Sequence, residues 1–129
     1  MNSYDVYMTN AQSDAMLAFL SGLPSGALVG IVAKDAVDFW NPNKPHLGDD
    51  LKAYMASAFG AAEFGSLGFR DSYAFVGYKG AASPIAESHT ATGTLTGMTI
   101  HITKKKIPRL IMNTMEVFTH AFHAYRHAF

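Results

Sequence analysis

The chain has 129 residues, enough for one hydrophobic core and short of the length at which second domains are common. Hydrophobic residues make up 49% of it and charged residues 16%, so it has apolar volume to bury and is not composed like a disordered segment. Ten basic residues balance ten acidic ones, which removes the field that draws proteins to nucleic acid, and zero cysteines exclude disulfides, a thiol nucleophile and a thiolate zinc site.

Residues 1–10 place Asp5 among polar side chains and do not read as a signal peptide. No long uncharged apolar stretch reads as a membrane span. Residues 4–8, Tyr-Asp-Val-Tyr-Met, are rich in strand formers and predict a first strand. Asn10 suits an N-cap, and Met16, Phe19, Leu20 and Leu23 fall on one helical face, predicting a helix over 11–21. Gly22, Pro24 and Gly26 break it, and the apolar run 27–33 predicts a central strand covered on both faces. Residues 35–48 hold Asn41, Pro42, Asn43, Pro45 and Gly48 around Phe39 and Trp40, a loop carrying two large aromatics. After acidic Asp49 and Asp50, the positions Leu51, Tyr54, Met55, Ala58 and Phe59 predict a second helix ending near Gly60. Residues 72–78 predict a strand in which Gly77 marks a bulge or a close backbone approach. Residues 81–90 read as a polar loop, and 92–103 alternate as a final strand or bent hairpin whose phase slips around Gly97.

The stretch Leu67-Gly68-Phe69-Arg70-Asp71-Ser72-Tyr73-Ala74-Phe75-Val76-Gly77-Tyr78-Lys79-Gly80 concentrates the polar chemistry. Arg70 and Asp71 stand where a strand begins. There a guanidinium can present paired donors to a hydroxylated ligand and a carboxylate can orient it. A structural ion pair or turn closure is the plainer alternative.

This stretch resembles the domain shared by the interleukin-like EMT inducer and pancreatic-derived factor (ILEI/PANDER) proteins, also found in a glycosyltransferase stem region and in hyaluronan-related cell-surface proteins. The family pattern joins Leu-Gly-aromatic-Arg-Asp, an aromatic pair and Gly-x-Lys-Gly, all found between Leu67 and Gly80. Upstream, Val32-Ala33-Lys34-Asp35 matches a Val-x-Lys-Asp strand end. The resemblance spans residues 3–103 and implies an α+β domain of two twisted β-sheets with two flanking helices. It also implies no catalytic centre, no cofactor and extracellular recognition. In sugar-binding members the corresponding Asp and Arg contact the sugar, which implicates Asp35 and Arg70. Asp71 and Lys79 of the same motif join them as candidate ligand-binding residues, and Trp40 is added as an aromatic able to cover a sugar face. Family members usually carry a leader and disulfides, and this sequence shows neither.

Residues 104–129 form a basic and amphipathic extension beyond the resemblance. Leu110, Met115, Phe118, Phe122, Tyr125 and Phe129 predict a C-terminal helix after Pro108, and Lys104, Lys105, Lys106 and Arg109 would face anionic headgroups if it met a membrane. His120, His123 and His127 share a helix face, but no fourth metal ligand is evident and no metal site is assigned. No Gly-x-Ser-x-Gly, Walker or zinc-protease spacing occurs. The sequence is therefore read as a non-catalytic recognition domain for a glycan or glycoprotein, with a cytokine-like or structural module that binds a protein receptor as the alternative.

Overall fold

The computed structural model describes residues 2–33 and 37–91. Residues 4–8 do not form the expected strand. Positions 6–8 are a turn, in which the Met8 N–H donates to the backbone and the side-chain oxygen of Asp5, both at 3.3 Å. A short acidic side chain offers the backbone this local partner in place of a strand ladder. Val6 still enters the core.

Helix α1 spans Asn10–Gly22, and Thr9 rather than Asn10 caps it, its Oγ1 accepting the Ala11 N–H at 3.2 Å. Leu20 of the expected stripe is buried and Met16 and Leu23 pack partly, but Phe19 is exposed beside Tyr4, with ring centroids 6.4 Å apart. At the far end, Lys79 Nζ donates to the carbonyls of Leu20, Ser21 and Leu23 at 3.0, 2.8 and 2.6 Å. These carbonyls stand at the negative end of the helix dipole, where a cation is favoured, and the Leu20 carbonyl also accepts the Leu23 N–H at 3.3 Å.

Strand β1 spans Leu28–Val32, β2 spans Ser72–Tyr78 and β3 spans Ala86–Thr90, forming one antiparallel sheet in the order β1-β2-β3. Among the described residues β1 is therefore an edge strand and β2 the central one. Part of the segment expected to be a polar loop, residues 81–90, is β3, whose alternating Glu87 and His89 find partners across the sheet. The register runs unbroken through Gly77, paired with Val29, so there is no bulge. Its glycine is explained by close approach: a Cβ there would meet Phe75 Cζ at 2.6 Å.

Helix α2 spans Asp49–Phe59, with Asp49 and Asp50 in its first turn, and ends on Gly60 at φ 66°. Leu51, Met55 and Phe59 line its buried face, and a short 3-10 turn, Phe64–Ser66, follows it. The core gathers these residues with Leu20, Val29, Leu47, Leu67, Tyr73 and Phe75. Phe59 meets Phe75 edge-on at 6.1 Å and Phe64 meets Tyr73 at 5.5 Å, the arrangement ring quadrupoles prefer. On the other face of the sheet Leu28, Ala74 and Val76 are buried too. The architecture is α+β, with one described sheet where the resemblance implied two. The strand or hairpin at 92–103, the extension at 104–129 with its helix, and the tail histidines lie outside the described residues.

Candidate functional site

Among the described residues of the loop before α2, the buried carboxylate of Asp38 holds the backbone. Asp38 Oδ1 accepts the backbone N–H groups of Phe39, His46 and Leu47 at 2.7, 2.6 and 3.0 Å. Three such bonds satisfy a charge that would otherwise be costly to bury. His46 Nδ1 lies 2.7 Å from the Tyr7 carbonyl and so carries the proton there, and its ring stacks on Phe39 at 4.5 Å. Asn41 tightens the loop tip by accepting the Asn43 N–H at 3.0 Å.

This scaffold carries a chain of aromatic rings. Trp40 lies 5.5 Å from Phe39, Phe39 lies 5.7 Å from Tyr7, and Tyr7 lies 6.1 Å from Phe69. The Arg70 guanidinium ends the chain, 5.3 Å from the Phe69 ring centre, a cation–π distance. Trp40 is 60% exposed, and Arg70 is exposed as well. The fold thus brings two of the candidate residues, thirty positions apart in sequence, onto one aromatic surface.

The backbone at Arg70 is unusual. Gly68 to Asp71 form a turn closed by the Asp71 N–H on the Gly68 carbonyl at 3.2 Å, and Arg70 sits third in it at φ 60°. That position ordinarily takes glycine or asparagine, because a Cβ crowds the backbone there. Arg70 is the one non-glycine among the described residues with positive φ. Asp71 secures the turn from inside, its Oδ2 accepting the Gly68 N–H at 2.9 Å.

A family model described as interleukin-like EMT inducer matches residues 1–81, more than half of the chain. The chain belongs to the interleukin-like EMT inducer family. No curated protein matches it. The family match contains α1, β1, α2, β2 and the whole aromatic surface, and it stops before β3.

The remaining candidates of this family domain take other places. Asp35 lies outside the described residues. Asp71 points into the structure, where its Oδ2 also stands 2.8 Å from His89 Nε2 on β3. Lys79 caps α1, with a carbonyl for each of its three protons, and its ammonium lies 5.7 Å from the Tyr54 ring centre. Sequence reasoning missed Tyr7, His46 and the anchoring Asp38, which only the folded loop joins to Trp40. It also missed the polar cluster behind the turn. There Glu87 accepts the N–H groups of Ala62 and Glu63 at 2.8 and 3.1 Å and the Tyr73 hydroxyl at 2.6 Å. Burial, reinforced by Glu87, pushes the Tyr73 phenol far above its ordinary range, so it stays protonated. The His89 ring is raised above its ordinary value of 6.5, chiefly by its hydrogen bond to Asp71, with burial opposing and Glu63 adding. Among the described residues no helix is long and apolar enough to cross a membrane.

Proposed function

We propose that this domain is a non-catalytic extracellular recognition module that binds carbohydrate through Trp40 and Arg70. The observation that carries this reading is an indole 60% exposed on an aromatic surface that ends in Arg70. An exposed indole face suits the apolar C–H face of a sugar ring, and a guanidinium presents paired donors to vicinal hydroxyls. Asp71 contributes by closing the turn that sets Arg70, and Asp35 is the acidic partner implied by the family pattern.

The test is an NMR titration of the full chain with a panel of mono- and oligosaccharides, following the Trp40 indole and the Arg70 amide and guanidinium signals. Saturable shifts at both, lost in Trp40→Ala and in Arg70→Ala, are the expected result. A second reading, a protein receptor as the partner, is favoured by the family's description as interleukin-like. Tryptophan and arginine also dominate protein-binding hot spots. A silent sugar panel, together with cell-surface binding that protease treatment removes and Trp40→Ala weakens, would decide for that reading.

A further inference from the structure

Both nitrogens of the His89 ring face carboxylates from different parts of the chain. Nε2 lies 2.8 Å from Asp71 Oδ2, and Nδ1 lies 3.4 Å from Glu63 Oε2. A neutral imidazole carries one N–H, so only the imidazolium can donate to both. The ring stands between the carboxylates, and among the described residues no group of three such side chains is placed to hold a metal ion.

The Asp71 oxygen that faces His89 is the same one that accepts the Gly68 N–H and closes the Arg70 turn. The proton on His89 therefore bears on the backbone that carries Arg70. Among the described residues, the other titratable groups around the ring are committed. Tyr73, its register partner on β2, gives its hydroxyl to Glu87, and Glu87 on β3 holds the backbone of Ala62 and Glu63 against the sheet. Glu63 is half-exposed, so Asp71, at 13% side-chain exposure, is the stronger of the two anchors.

We propose that His89 is a proton-dependent positioning residue: as imidazolium it ties Asp71 to Glu63 and holds the Arg70 turn, and on losing its proton it loosens that turn. The consequence for ligand binding rests on the proposed role of Arg70, whereas the consequence for the turn does not. Because Asp71 and Glu63 favour the charged ring, the bridge is made in acid and undone as pH rises through a value above 6.5.

An NMR pH titration of the full chain tests this, following the His89 Cε1–H signal together with the amides of Gly68 and Arg70. The three should move with one midpoint, above 6.5. In Glu63→Gln that midpoint should fall for all three signals, and in His89→Gln the amide titration should vanish. Glu63→Gln alters a half-exposed side chain and so keeps the test readable if His89→Gln does not fold. A ring that titrates while the Gly68 and Arg70 amides stay still would overturn the proposal. Any sugar of the panel that binds should do so more tightly at low pH, by about fivefold across the titration, and lose that dependence in His89→Gln. If no sugar binds, the glycan reading fails and the amide shifts still decide the role of His89.

Discussion

Arg70 occupies a turn position that costs a non-glycine residue about 1–2 kcal/mol. Glycine there would remove the strain, so Arg70→Gly should raise stability by about 1 kcal/mol in urea unfolding while abolishing the proposed sugar binding. Loss of stability would instead mean that the guanidinium over Phe69 holds the turn, and that the residue is structural. Gly77 presents the opposite case. Its hydrogen leaves room for the Phe75 ring, so Gly77→Ala must displace a fully buried side chain and should cost about 1–3 kcal/mol, read from the same unfolding curves.

Between elements, Lys79 joins the end of β2 to the end of α1. Three carbonyls around one ammonium cannot be served by an apolar side chain. Lys79→Met should therefore destabilise the domain by about 1–3 kcal/mol. Hydrogen exchange should accelerate first in the last turn of α1. Lys79→Arg should restore only part of the loss, because a planar guanidinium cannot address three converging acceptors as a compact ammonium does. The same lysine belongs to the family pattern, so part of that pattern reports how the domain is held together. Strand β3 works similarly: Glu87 gathers the Tyr73 hydroxyl and two backbone N–H groups, locking the segment after α2 onto the sheet.

For the molecule as a whole, His89 makes stability depend on pH. Its folded pKa lies above the unfolded value near 6.5, so its contribution is complete below that value and is lost as pH rises through the folded one. The urea midpoint should accordingly fall as pH rises through a value above 6.5, a change that shrinks in Glu63→Gln and disappears in His89→Gln. A midpoint that rises there would contradict the bridge. Tyr73 adds no dependence there, because burial keeps it neutral well beyond it.

Local pattern determined the two helices, the strand at 72–78 and most of the run that became β1, because spacing of apolar residues and strong breakers such as Pro24 and Gly60 act over a few residues. The motif from Leu67 to Gly80 likewise identified the family and singled out Arg70. The tertiary structure decided the rest, since the deciding partners are distant in sequence. Asp5 competed locally and turned an apparent strand into a turn, while β3, polar enough to read as a loop, was recruited by its register with β2. The sequence singled out Trp40 and Arg70, but only the fold joined them, through the rings of Phe39, Tyr7 and Phe69. The roles of Lys79 and His89 followed from the carbonyls and carboxylates that folding brought to them. Side-chain chemistry was legible in the sequence; its partners became definite when the chain folded back on itself.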